Sequence, residues 1–296
     1  EIGESIREKA WEFGTTTVHT GHAPGELISG RTMICKTSGN TVSDAIIVHD
    51  AMIACTLGES SLKKGEKSPG NRSKSVALLR QRLIEADEYT QSQTKAGQLG
   101  DDGKPKDPPK RDLQLEALAA VLTGDMPLMI HAHRSHDIMN AIRLANEFEI
   151  DVVLDGGAES YRVIDELKAA EIPVIIHPQL IRMYGELENA SFTTASKLAD
   201  AGIPMAMQTG YESYVPKVRV LVFEAAQAAA NGLGPHRALR ACTIDAATLL
   251  GIDDRVGSLE VGKDADLALW DGDPFEWTTH CTGVIIDGQQ VSTVVR

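Results

Sequence analysis

Several things are scarce in this 296-residue chain, and each scarcity removes a class of function. There are four cysteines (Cys35, Cys55, Cys242 and Cys281), far apart and without a CxxC pair. That spacing excludes a disulfide framework or a zinc knuckle and predicts reduced, mostly buried thiols in a cytoplasmic protein. No apolar run approaches the roughly 20 residues of a membrane helix, and no signal peptide opens the chain, whose first residue is Glu1. Basic side chains are outnumbered, 29 against 42 acidic, giving a formal net charge of −13. A surface that acidic repels phosphate backbones and anionic lipid, so neither nucleic acid nor a membrane is an expected partner. The pair Gly156-Gly157 is no phosphate loop, because no GxGxxG or P-loop lysine accompanies it.

What remains is an ordinary globular composition, 42% hydrophobic and 24% charged, with enough chain to bury a sizeable core. From about residue 111 a unit repeats: amphipathic helix, short apolar strand, loop. The strands are Pro127–Ala132, Ile150–Leu154, Pro173–His177 and Pro204–Gln208, separated by helical patterns at His136–Glu147, Glu159–Ala170 and Thr193–Ala201. Apolar strands alternating with helices predict parallel strands covered on both faces. Earlier in the chain, Thr15–Val18, Thr32–Lys36 and Met52–Thr56 are further strand candidates. Ile6–Glu12 and Val76–Ala96 read as helices, and Gly97–Lys110 as a polar surface loop. Seven strands in barrel order are one short of the eight that close a (β/α)8 barrel. After Gly251 the texture changes to short β-type runs, Val256–Asp273 and Cys281–Val295, with Gly and Asp at the turns.

Those runs carry a signature. Asp254-Arg255-Val256-Gly257-Ser258-Leu259-Glu260-Val261-Gly262-Lys263-Asp264-Ala265-Asp266-Leu267 is followed by Gly272-Asp273-Pro274-Phe275 and Val284-Ile285-Ile286-Asp287-Gly288. Together they resemble the C-terminal motif of the amidohydrolase superfamily, closest to imidazolonepropionase-like members. Pro127–Arg134, with His131-Ala132-His133-Arg134 and then Asp137-Ile138, is similar to that family's fifth strand and the helix after it. The resemblance implies an α/β fold: a TIM-like (β/α)8 metal-dependent-hydrolase barrel over residues 1–252, incomplete at its N-terminus. Residues 253–296 would form the C-terminal part of a small β-sandwich domain. It also implies that the first strand, with its HxH pair of metal ligands, is not in this sequence.

The family's chemistry uses one or two divalent metals at the strand ends, held by several imidazoles and a carboxylate. Position by position, most of that set is absent. His131 matches a family ligand. The sixth strand should end in a histidine but reads Leu154-Asp155-Gly156-Gly157; the eighth should end in Thr-Asp but reads Thr209-Gly210-Tyr211-Glu212. A bridging lysine of some relatives falls at about Ala54. Asp155 is expected to stand in for a ligand only if its strand slips by one residue. The expected pocket is His131, His133, Arg134, His177, Tyr211 and Glu212, with His131 the one family-matching metal position. His19 and His22, spaced HxxH after the second strand, read as solvated or substrate-contacting, and Lys63, Lys64 and Lys67 as a solvated loop.

The leading reading is a pseudoenzyme, a catalytically degenerate amidohydrolase-like subunit. It would bind a small molecule, or pair as a homo- or hetero-oligomer with an active amidohydrolase. The alternative is a metal-dependent hydrolase of C–N bonds in cyclic or linear amides, with zinc or another divalent metal and HxH supplied from outside residues 1–296. Restoring side chains by Gly156→His with Gly210→Asp should raise metal affinity in that setting, unless either glycine sits at positive φ.

Overall fold

A computed structural model describes residues 10–39, 41–62, 69–99, 107–211 and 217–295. Glu212, Lys63, Lys64, Lys67, the start of the Ile6–Glu12 segment and the middle of Gly97–Lys110 lie outside the described residues. The strands are β1 (Thr17–Thr20), β2 (Ile28–Arg31), β3 (Met33–Lys36), β4 (Ile46–Val48), β5 (Ile53–Thr56), β6 (Leu128–Ala132), β7 (Val152–Gly156), β8 (Val174–Ile176), β9 (Met205–Met207), β10 (Leu267–Trp270), β11 (Cys281–Ile286) and β12 (Gln289–Ser292). A mixed sheet in the order β2-β5-β6-β7-β8-β9 forms the centre. From β5 to β9 it is parallel, and β2 joins its edge antiparallel to β5.

The alternation of side chains along these strands sorts the core into two layers. One face carries Ile53, Cys55, Leu128, Ile130, Leu154, Val174 and Ile176, packed with helix residues such as Leu79, Leu83, Ile138, Leu167 and Leu198. The opposite face carries Ala54, Met129, Val153 and Ile175, with Met52 beside them, against Leu249 and Leu250. The helices form where the apolar spacing places them. Asn71 caps Arg72–Thr94 by accepting from Lys74 N, and Asp112 caps Leu113–Leu122 by accepting from Gln114 N and Leu115 N. Ser135–Phe148 buries Ile138, Ala141, Ile142, Leu144 and Ala145 along one stripe. Among the described residues no helix is long and apolar enough to cross a membrane.

Two expected barrel strands are corrected. Thr15–Val18 and Thr32–Lys36 do not enter the parallel series. Their structured parts, β1 and β3, pair antiparallel with one another and then with β4, in a separate sheet of order β1-β3-β4. The connections explain it. No helix is described between β1 and β3, and only the single turn Val42–Ala45 lies between β3 and β4. Parallel pairing needs a crossover, usually helical, of a dozen or more residues, whereas antiparallel pairing does not. A β-branched run signals a strand but says nothing of its direction. The segment Ile28–Arg31, interrupted by Gly30, carries too weak an alternation to read as a strand, yet forms β2.

At the C-terminal side β10, β11 and β12 form an antiparallel sheet, as the Gly/Asp-punctuated runs predict. It is tied to β3 by one lysine. Lys36, 4% exposed, lies 2.9 Å from Asp264, 2.8 Å from Asp266 and 3.1 Å from Asp287. Burial alone would lower the Lys36 ammonium, but the three carboxylates outweigh it and raise it. Burial alone would likewise raise the Asp264 carboxyl, yet Lys36 and then Arg255 hold it below the ordinary carboxylate value.

The signs fix a pH window. The depressed Asp264 contributes stability that is complete above the ordinary aspartate value and is lost as pH falls through the depressed one. The raised Lys36 contributes below its ordinary value and is lost only above the raised one. The tie therefore holds across neutrality and fails in acid. Replacing Lys36 with Met leaves three carboxylates facing one another and is expected to cost about 3–5 kcal/mol near neutrality. Thermal unfolding followed from about pH 3 to 9 should show wild type weakening in acid and the variant gaining relative to it there, as protonation relieves the repulsion. A variant as stable as wild type at neutral pH would show that the tie contributes nothing.

Candidate functional site

The parallel strands end at one rim, and the register decides what stands there. Thr56 is paired with His131, and His131 with Asp155, across three adjacent strands. All three continue the face that carries Ala54, Met129 and Val153, two residues earlier in each strand. His177 and Gln208, just past the ends of β8 and β9, continue the same parity from Ile175 and Ala206. The apolar face thus turns polar at its C-terminal rim, where α/β sheets of this kind place ligands.

Asp155 is the centre of this rim. It is 1% exposed. Its Oδ2 lies 2.7 Å from His131 Nδ1, and its Oδ1 accepts from Gln208 Nε2. Burial alone would raise the Asp155 carboxyl, but the bond and charge of His131, followed by Gln208, hold it below the ordinary range. The Tyr211 hydroxyl interacts with the same carboxylate. Tyr211 as a residue is 36% exposed, but burial of its phenol end, together with the Asp155 charge, pushes the phenol upward. Its ring meets the His131 ring edge-on, with centroids 6.1 Å apart.

The strand-slip condition on Asp155 is therefore corrected. In the unslipped register Asp155 already shares the inner face with His131, because partners across a parallel ladder point the same way. Gln208 is a rim side chain that the sequence pattern did not single out, and Asp155 one that it admitted only on that condition. A signal was available: in five strands a polar residue follows an inner-face apolar one by two positions, giving Ala54/Thr56, Met129/His131, Val153/Asp155, Ile175/His177 and Ala206/Gln208.

The two glycines stand in unusual backbone. Gly156 has φ +94° and Gly210 φ +84°, conformations that residues with a Cβ rarely adopt. The space beside Gly156 is also occupied. A Cβ there would lie 2.8 Å from His133 Cε1 and 3.2 Å from His131 Cε1. The His133 ring, 4.6 Å from His131 centroid to centroid, thus fills the volume a side chain at 156 would need.

The remaining expected pocket residues divide. Arg134 is a tether: it donates to Glu159 Oε1 at 3.0 Å and to the Gly185 carbonyl at 2.7 Å, and lies 3.2 Å from Glu188. Glu159 also accepts from Ser135 N and Asn189 Nδ2, which outweigh burial and hold its carboxyl at about 2. His177 is buried, 3.8 Å from Glu224. A cavity of about 430 Å³ opens beside the rim; Asp155, Gln208 and Tyr211 line it, whereas His131, His133, Arg134 and His177 do not. His19 and Thr32 line it from the other side, with 2.7 Å between His19 Nε2 and Thr32 Oγ1. Burial pushes the His19 imidazole down, against the pull of the Asp155 charge.

The resemblance implies a divalent metal, and the described residues do not fit one. Among them no group of three or more His, Cys, Asp or Glu is placed to hold a metal ion. The Asp155–His131 bond is the support a ligating imidazole commonly receives. Among the described residues that support is present, and no further ligands are grouped with His131.

A parallel α/β sheet with its polar side chains gathered at the C-terminal rim is the layout of the TIM-like class. Comparison with known proteins agrees. The chain matches the model of the Amidohydrolase family over residues 26–296, and it belongs to that family. It is 28% identical to the amidohydrolase tasK of Hapsidospora irregularis over 192 residues, 60% of this chain and 18% of that protein. It is 29% identical to the imidazolonepropionase of Brucella suis over 156 residues, 38% of each. These matches span well under two thirds of either relative. The crystal structure of an amidohydrolase from Thermotoga maritima MSB8 superposes with a TM-score of 0.90 at 28% identity, over 98% of this chain and 75% of that one.

The glycine geometry can be checked directly. Gly156→Ala is expected to lower stability by about 1–3 kcal/mol, the cost of forcing a Cβ into such backbone. It should also displace the His133 ring, seen as a shift of its imidazole resonances. At an unstrained site the same change would stabilise by restricting the unfolded chain, so a raised melting temperature would contradict the assignment.

Proposed function

We propose that this chain is a catalytically degenerate amidohydrolase-family subunit that keeps a small-molecule pocket at the sheet rim and does not hydrolyse amides. The observation that carries this reading is the state of position 156. Its backbone is left-handed, it has no side chain, and the neighbouring His133 ring fills the space. A lost ligand whose place has been closed is harder to regain than one merely deleted. The same geometry bears on Gly156→His with Gly210→Asp, since both replacements put a Cβ at positive φ. A pocket role remains open to the rim: a cavity of about 430 Å³ is within the range that small ligands occupy. Its head end offers Asp155, Tyr211, Gln208, His19 and Thr32, and its floor Met129, Ile175 and Leu249. That split suits a small amphipathic molecule with a hydrogen-bonding head. Pairing with an active amidohydrolase, or with a second copy, belongs to the same reading.

We also read the barrel as open between β9, an edge of the central sheet, and β1, an edge of the separate β1-β3-β4 sheet. Both line the cavity, and among the described residues each is paired on one side only. A strand inserted there would narrow the cavity to its polar mouth and remove two free edges, which otherwise invite association.

Elemental analysis of the full-length protein, with intact mass to define its ends, tests the central claim. The expected result is well below one equivalent of divalent metal and hydrolysis of simple amides and lactams near background. About one equivalent of tightly held metal, with amide hydrolysis abolished by a chelator, would restore the metal-dependent hydrolase.

A further inference from the structure

The cavity beside the rim is rich in hydrogen-bond acceptors and poor in free donors. A carboxylate can only accept, so it decides which face of each neighbour is spent on it. Asp155 accepts from Gln208 Nε2 and is hydrogen-bonded to the Tyr211 hydroxyl. Gln208 Nε2 also donates to the Ile175 carbonyl at 3.4 Å, so its amide cannot turn over without setting an oxygen against two acceptors. What these two residues keep for a ligand is therefore oxygen, Oε1 of Gln208 and the phenol oxygen of Tyr211, and both line the cavity.

Farther round the lining the donors are spent in the same way. Thr17 Oγ1 donates to Asp266 at 3.4 Å, and Thr37 Oγ1 to the Thr15 and Thr16 carbonyls at 2.9 and 3.1 Å. Lys36 is the one lysine or arginine among the described lining residues, and the three carboxylates within 3.1 Å of it outnumber its charge. Of the His131–Asp155 pair only the carboxylate lines the cavity. Its charge is felt by two other lining groups, opposing the effect of burial on the His19 imidazole and adding to it on the Tyr211 phenol.

We propose that the ligand of this cavity is a small primary alkylammonium, its head held by Asp155, Gln208 Oε1 and the Tyr211 oxygen and its tail laid on Met129 and Ile175. The proposal rests on the pocket reading above and adds the sign of the ligand's charge. An ammonium group brings three donors and no acceptor, the complement of such a lining. A carboxylate offers about four acceptor positions, of which His131, Gln208 and Tyr211 use three, so Asp155 keeps room for one more donor. An anionic head would meet oxygens and a like charge, and a buried charge without a partner is costly. A hydroxyl head finds acceptors and gains nothing from the charge.

The test titrates the full-length protein with n-butylammonium, butan-1-ol and butyrate, which share a tail and differ in the head. At about pH 8 the ammonium is charged and an unperturbed imidazole is neutral, and about 0.15 M salt screens the acidic surface. Saturable single-site binding of butylammonium is expected, about tenfold tighter than butanol, the gain of a charge-assisted over a neutral hydrogen bond. Butyrate should bind more weakly than either. Asp155→Asn should weaken butylammonium about tenfold and leave butanol within about twofold, which also shows that the variant is folded. Tyr211→Phe, which removes one acceptor and keeps the ring, should weaken butylammonium a few-fold. Butanol or butyrate binding as tightly as butylammonium would overturn the cation and leave the pocket reading standing. Failure of all three to bind would remove both. Equal affinity for butylammonium in Asp155→Asn would assign the binding to the acidic surface and overturn the site. Metal content, which tests the degenerate-enzyme reading, is measured separately and does not enter these ratios.

Discussion

The rim is organised by one buried carboxylate. Asp155 holds a negative charge in a place where burial alone would neutralise it, and it can do so because His131 and Gln208 satisfy both of its oxygens. That satisfaction depends on register. His131 and Asp155 meet because β6 and β7 are aligned residue for residue, and Gln208 reaches across from the strand at the far edge of the sheet. Sliding either strand by one position would turn an imidazole or a carboxylate into the apolar layer under the helices. The polar rim and the packed outer layer are therefore two results of a single alignment.

Under the proposed reading, the glycines show how a site could lose its chemistry while its frame survives. In metal sites of hydrolases the imidazoles are only as good as the groups that orient them. Here an orienting carboxylate remains, bonded to the one imidazole that matches the family pattern. What changes is conformational: at 156 and 210 the chain adopts backbone that glycine tolerates and other residues resist, and at 156 a histidine from the adjacent strand leans into the space. Under the proposed reading this is a coordinated rearrangement of two neighbouring strand ends, and the pocket that remains is built from hydrogen bonds.

Much of this architecture was legible in the sequence. The helix and strand alternation after residue 111 placed β6 through β9 within a few residues, because buried parallel strands are short apolar runs and their covering helices repeat every three to four positions. The C-terminal strands were legible from glycine and aspartate at turns. The first fifty residues were not, since local pattern reveals extended chain without its partner or direction; β1 and β3 pair across a link that itself contains β2, a strand of the other sheet. At the site, His131 and the two glycines were visible as matches and mismatches to a motif. Asp155 was visible only as a conditional ligand, because a motif compares identities along the chain, whereas its place at the rim arises from His131 and Gln208 outside its own strand. Arg134 was legible as a rim residue, and its tether to Glu159 and Gly185 was not.

That tether bears on how such a chain ages. Arg134 follows directly on the His131-Ala132-His133 run, yet its bonds go to Glu159, to Glu188 and to a backbone carbonyl, and Glu159 in turn caps the start of the next helix through Ser135 N. Under the proposed reading, selection for folding would guard this arginine even after selection for turnover had lapsed. Residues whose only duty was to the reaction can drift one at a time, while a neighbour that also bears structural weight stays put. The most recognisable stretch of an old catalytic motif is then a record of what the scaffold needs, and it can outlast the chemistry that first made it familiar.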